Sequence, residues 1–212
     1  MALCYDVRGM TRERVAINRR GINPLPTTCP PAWKLAHKAI PEVCLYNAVT
    51  NFREVVRHVS IKIEIPQRGT VELQHAVFDI NGTLAVDGVV LPGVTDRLKK
   101  LAESLTIHLL TAGTHGNLNE IEQSLGFRLR VIHRGEEKLR YVQQLGPSSV
   151  VAFGNGVNDS GMLRLAALGI AVITSEGLAI RAVQTSDIVV RSPVDGIDLL
   201  LKPDRLIATL RE

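Results

Sequence analysis

The residues able to do chemistry begin with Asp79, which closes an apolar run and faces a Gly-Thr turn in Ala76-Val77-Phe78-Asp79-Ile80-Asn81-Gly82-Thr83-Leu84. A strand that stops on a carboxylate beside a turn presents that carboxylate as a nucleophile, and attack on phosphorus is the chemistry suited to it. Three later segments carry what such a reaction needs. Leu109-Leu110-Thr111-Ala112-Gly113-Thr114 offers the Thr111 hydroxyl, Lys138 offers a cation, and Gly154-Asn155-Gly156-Val157-Asn158-Asp159 offers a second carboxylate. Arg134 and Arg140 are alternative cations, with Lys138 preferred for its place after a strand. A phosphoester repels an attacking carboxylate, so a divalent cation has to bridge the two while donors hold the remaining oxygens. Asp79 and Asp159 provide hard oxygen ligands of the kind Mg²⁺ takes, and Lys138 is expected to keep Asp79 ionised by proximity. Asn81 occupies the place where a second carboxylate would handle proton transfer. An amide donates a hydrogen bond but shuttles no proton, so turnover should be slow.

These residues must be positioned by the elements between them. From Ile61 the chain alternates with period two through Ile61-Lys62-Ile63-Glu64-Ile65, turns at residues 67–70 and alternates again from Val71 to Leu73, which predicts a hairpin feeding a strand that ends at Asp79. Further strands are expected over 107–111, 129–132, 150–153, 170–173 and 188–190, with helices near 93–104, 114–125, 136–145, 158–167, 177–184 and 194–209. Val94, Leu98, Leu101 and Leu105 share one helical face. Strands alternating with amphipathic helices specify an α/β fold, a Rossmann-like doubly wound parallel sheet covered on both faces. Ligands of such sheets lie beyond the carboxyl ends of the strands, where Asp79, Thr111 and residues 154–159 all fall. Asp87-Gly88, between Val86 and Val89-Val90, predicts a small β-hairpin flap. The segment from Thr83 to Gly93 leaves no room for a helical cap domain.

Composition bounds the alternatives. The 212 residues are 45% hydrophobic, enough for one core, and no apolar run approaches the roughly 20 residues of a spanning helix, so a cytoplasmic protein without membrane association is expected. The formal charge of +4 belongs to the leader: residues 1–60 hold 9 Lys+Arg against 4 Asp+Glu, and residues 61–212 hold 16 against 17. With 4% aromatic residues the main body lacks the stacking platform and basic stripe of a nucleic-acid binder. Residues 1–60, Pro-rich in the middle and without sustained period, are expected to form a poorly ordered or loosely docked leader, with residues 61–212 as the catalytic domain; alternatively the functional protein begins near Ile61. Cys4, Cys29 and Cys44 all lie in the leader and match no metal knuckle or disulfide framework, reading instead as isolated thiols. His75 and His108 read as satisfied, partly buried histidines, and His115 as an exposed helix-start residue at the mouth of the site.

Asp79-Ile80-Asn81-Gly82-Thr83, Thr111, Lys138 and Gly154 to Asp159 resemble, in order, the four motifs of the haloacid dehalogenase superfamily, over about residues 72–210. The Gly-Val-Asn-Asp signature and the Gly-Ile-Ala-Val strand after it look most like the phosphorylation domain of P-type ATPases, here standing alone. The resemblance implies a phosphohydrolase with Mg²⁺ dependence and a transient aspartyl-phosphate. It assigns Asp79 as nucleophile, with Asp79, the Asn81 carbonyl, Asn155 and Asp159 around the metal, and Thr111, Ala112, Lys138 and Asn158 around the phosphoryl group. Asn81 and Asn155 depart from the common pattern, each replacing an aspartate. The substrate classes implied are a phosphorylated small molecule, a nucleotide or a phosphoprotein. The absent cap points to a macromolecular substrate or to a homo-oligomer whose neighbouring subunit serves as lid. A non-catalytic module that keeps only Mg²⁺ and phosphate binding is the other class the same residues allow.

Overall fold

The computed structural model describes residues 60–112 and 118–212, and the backbone of two short strands before them. The chain divides into two compact units, Met1–Val56 and Arg57–Glu212. In the first, β1 (Val15–Asn18) and β2 (Gly21–Pro24) pair antiparallel, which the leader's lack of period did not foretell. The three cysteines and His115 lie outside the described residues.

The second unit opens with an antiparallel pair, β3 (Ile61–Ile65) and β4 (Gly69–Leu73), in the register Ile61↔Leu73 to Ile65↔Gly69. Its Ile63, Ile65 and Leu73 are buried and the alternate residues are exposed, as a period-two pattern requires. The six-stranded sheet that follows is parallel throughout. Its strands are β5 (His75–Asp79), β8 (Thr106–Thr111), β9 (Leu129–Val131), β10 (Val150–Gly154), β11 (Leu168–Val172) and β12 (Ile188–Val190), in the order β12-β11-β10-β5-β8-β9. The reversal of strand order beside β5 makes that strand the switch point. Between β5 and the first sheet helix, β6 (Ala85–Val86) and β7 (Val89–Val90) form the expected flap around Asp87 and Gly88, at φ 49° and 76°, a turn with both central residues left-handed.

Residues of β5 and β10 alternate between the two faces. Phe78 and Phe153 stack at 4.3 Å on one, within a core that includes Leu98 and Leu101 of α1 (Val94–Leu101) and Ile197 and Leu200 of α6 (Pro193–Leu201). Val77 and Ala152 face the other, with Val142 of α3 (Gly135–Leu145), Met162 of α4 (Ser160–Leu165) and Ala182 of α5 (Ile180–Gln184). The remaining helices are α2 (Leu118–Leu125) and α7 (Pro203–Leu210). The single helix expected over 194–209 is two. Pro203 lacks a backbone donor and drives Lys202 out of helical geometry, to φ −132° and ψ 73°, which ends α6 and starts α7. The expected helix over 158–167 likewise divides, into a 3-10 turn at Val157–Asp159 and α4. Among the described residues no helix is long and apolar enough to cross a membrane.

Candidate active site

Asp79, Thr111 and Gly154 end three adjacent strands of a parallel sheet, so their side of the sheet collects the loops that follow. After Asp79 the chain folds tightly back: the Ile80 carbonyl accepts hydrogen bonds from the amides of Thr83, Leu84 and Ala85 at 3.2, 2.8 and 2.9 Å. Gly82 makes the turn possible, with φ 74° and with Asn155 pressed so closely that a Cβ at position 82 would collide with its amide. Thr174, after β11, donates to the Gly82 carbonyl at 2.9 Å and ties this turn to a third loop.

The centre is a buried trio. The Lys138 ammonium, one turn into α3, donates to Asp79 Oδ1 at 2.5 Å and to Asp159 Oδ1 at 2.6 Å, and all three residues are at most 5% exposed. Thr83 donates its single proton toward Asp79 Oδ2 at 3.1 Å, with Asn155 Oδ1 at 3.3 Å sharing the same hydroxyl. Asp159 Oδ2 accepts from the backbone amides of Asn155 and Gly156 at 3.0 and 2.9 Å. Both oxygens of Asp159 are therefore engaged, one on the lysine and one on the loop. Asn155 is held from its other side, its Nδ2 donating to the Gly177 carbonyl at 3.2 Å.

Two carboxylates and one ammonium in a buried space leave a net negative charge. Burial, followed by the charge of Asp159, pushes the Asp79 carboxyl up to about 7 against the opposing pull of Lys138. Lys138 favours the ionised form of Asp79, as its proximity predicts, but burial and the second carboxylate oppose it. Burial alone would lower the Lys138 ammonium, but the two carboxylates overcome it and raise it, so this lysine stays charged. A hard dication beside Asp79 would offset the residual charge, and carboxylate, amide and carbonyl oxygens are the donor set Mg²⁺ prefers. The residues present fit that ion with only two carboxylates; among the described residues no three His, Cys, Asp or Glu side chains gather.

The structure thus brings together Asp79, Asn155, Lys138 and Asp159 from segments up to 80 positions apart. Thr111 is fully buried at its strand end, paired in register with Val131, and Ala112 follows it half-buried. Asn81 follows Asp79 by two residues at the start of the turn and bridges to Ala85. Asn158 is exposed and makes no hydrogen bond to Asp79, Lys138 or Asp159. Arg134 and Arg140, the alternative cations, are both exposed, and Lys138 is the one inside. Sequence reasoning missed Thr83 and Thr174. A hydroxyl four residues after the aspartate was the signal for the first; nothing local announced the second. His108 accepts or donates at Tyr141 Oη (2.8 Å) and at His75 Nδ1 (3.2 Å), so the two histidines are satisfied and lie away from the trio.

No protein-family model matches the chain. An uncharacterized protein of Methanocaldococcus jannaschii is 42% identical over 79 residues, 35% of this chain and 85% of that protein. Among solved structures, a Legionella pneumophila protein assigned to the haloacid dehalogenase superfamily, subfamily III A, aligns with a TM-score of 0.50 at 13% identity, over 78% of this chain and 96% of that one. The 3-deoxy-D-manno-octulosonate 8-phosphate phosphatase of Moraxella catarrhalis, solved with magnesium and phosphate ions, gives 0.48 at 19% identity, over 66% and 94%. A zinc-transporting P-type ATPase gives 0.47 at 21%, over 57% of this chain and 20% of that one.

Proposed function

The chain belongs to one family with the archaeal protein, and from its site and the fold it shares with the Legionella structure we propose that it is a haloacid dehalogenase-type, Mg²⁺-dependent phosphohydrolase of low turnover. The observation that carries the reading is the buried Lys138 held between Asp79 and Asp159 at the carboxyl edge of the sheet. An ion pair this desolvated is costly to build and is poor evidence for stability as such, so its place at a ligand-binding edge favours a catalytic purpose.

In this reading Asp79 attacks phosphorus and forms the aspartyl-phosphate while the bond to the leaving-group oxygen breaks. Thr83 holds the carboxylate in place through Oδ2. Lys138 and Thr111, with the backbone at Ala112, receive the phosphoryl oxygens, and Asn158 reaches the group from the open side. Mg²⁺, when bound, neutralises charge between the carboxylate and the phosphoryl group. Asp79, Asp159, Asn155 and the Asn81 carbonyl would hold it, and Asp159 also fixes Lys138 and the loop at 155–156. The departing oxygen takes its proton from solvent, because Asn81 has none to transfer. The same absence slows water's attack on the aspartyl-phosphate, and together these cost on the order of 10² to 10⁴ in rate.

A binding module is the second reading, and the amides at positions 81 and 155 favour it by removing a proton carrier and a charged ligand. Beryllofluoride separates the phosphoryl-accepting carboxylate from a mere surface acid. Titrated with Mg²⁺ it should bind the wild-type chain and fail to bind Asp79→Asn; equal binding to both removes Asp79 from the centre of the account.

A further inference from the structure

We infer that the cavity beside the catalytic trio binds a second anionic group, a carboxylate or a phosphate, carried by the leaving group of the substrate; this rests on the phosphohydrolase reading and narrows its substrate class. The cavity measures about 420 Å³ and is lined by Arg134, Glu136, Leu139, Asn158, Ser160 and Arg181, among others. Its walls are the starts of the segments that follow β9, β10 and β11, so it opens on the sheet edge that carries Asp79. Arg134 precedes Lys138 by four residues, and Asn158 and Ser160 bracket Asp159 in the chain. The cavity is therefore built on the same two segments, after β9 and after β10, that carry Lys138 and Asp159.

Two features mark it as a site for an anion. The guanidinium groups of Arg134 and Arg181 are exposed and, among the described residues, form no ion pair and no side-chain hydrogen bond, although carboxylates are plentiful on this surface. The acid on the wall, Glu136, has its carboxylate 3.7 Å from Arg140, outside the cavity lining. The independent observation is Ser160. Its residue is 5% exposed and belongs to the lining of this cavity, and its hydroxyl is buried with no hydrogen-bond partner, so a rotation of the side chain toward the cavity would gain one from a bound oxyanion. Leu139 supplies an apolar wall for the carbon skeleton between the two anions. An arginine pair selects planar or tetrahedral oxyanions over neutral alcohols, and nothing in the cavity favours an uncharged leaving group.

The test uses the full chain and non-hydrolysable phosphonates with Mg²⁺. Methylphosphonate reads the phosphoryl centre alone. Phosphonocarboxylates and bisphosphonates with one to three methylenes add the second anion, and comparing the two series tells carboxylate from phosphate. In the wild type the best of them should bind at least tenfold more tightly than methylphosphonate in calorimetry, and Arg134→Gln with Arg181→Gln should erase that advantage while methylphosphonate binding stays unchanged. No advantage in the wild type, or one that survives the double substitution, overturns the inference. The Nε–Hε signals of Arg134 and Arg181 are followed by NMR in parallel. If methylphosphonate does not bind, the phosphohydrolase reading fails on its own. The arginine signals then still decide the cavity: shifts with the second-anion compounds uphold it, and none overturns it.

Discussion

Replacing Lys138 with methionine removes one positive charge from between two buried carboxylates at nearly constant volume. Each Lys138 contact, at 2.5 and 2.6 Å, is worth about 6 kcal/mol of Coulomb attraction at an effective dielectric of about 20. Much of that is offset by desolvation and by the mutual repulsion of Asp79 and Asp159, and breaking a buried pair from one side costs about 3–5 kcal/mol net. That loss is expected at pH 7. The variant must recover the missing charge by binding one more proton in its folded state than the wild type does, at a cost that falls by about 1.36 kcal/mol per pH unit as the pH drops. The sign follows: destabilisation should shrink toward acid by about 2.7 kcal/mol over two pH units, from about 3–5 kcal/mol at pH 7 to about 0–2 at pH 5. Urea denaturation of the full-length variant and wild type at both pH values reads this directly. A difference under 1 kcal/mol at pH 7, or one independent of pH, refutes the picture of an ammonium neutralising two desolvated carboxylates.

Asn81→Asp restores a proton carrier and should raise p-nitrophenyl phosphate turnover about tenfold or more; an unchanged or lower rate means that proton transfer does not limit the reaction. Gly82→Ala meets both a left-handed backbone and the Asn155 amide, and should cost about 2 kcal/mol or more while weakening Mg²⁺ binding. Gly177→Ala, at φ 92° with open space around it, should cost only the backbone share of about 1 kcal/mol, so equal melting-temperature losses in the two variants exclude a steric role for Asn155.

Most of the sheet was legible because strand and helix periods differ and each strand ends in punctuation. Ile188–Val190 and the flap at Asp87-Gly88 emerge where the pattern puts them, and the carboxyl-edge rule gathers Asp79, Lys138 and Asp159 correctly. The splits at Lys202 and Asp159 were missed for different reasons. Pro203 was a readable break overridden by the apolar period on either side of it, whereas the 3-10 turn at 157–159 follows from Asp159 folding back on the amides of 155 and 156 while Lys138, 21 positions away, holds its other oxygen. Ionisation was the least legible property. Proximity to a lysine is visible in a motif, but the desolvation that lifts Asp79 to about 7 depends on burial from segments far apart in the chain. The cavity between Arg134 and Arg181 escaped for the same reason, since 47 positions separate residues that line one wall.

The most direct measurement is phosphate release from p-nitrophenyl phosphate by the full chain with and without Mg²⁺, set against Asp79→Asn prepared in parallel. The account predicts a slow, Mg²⁺-dependent release that the substitution reduces at least a thousandfold, about 4 kcal/mol of transition-state stabilisation. Release that persists undiminished in Asp79→Asn contradicts it.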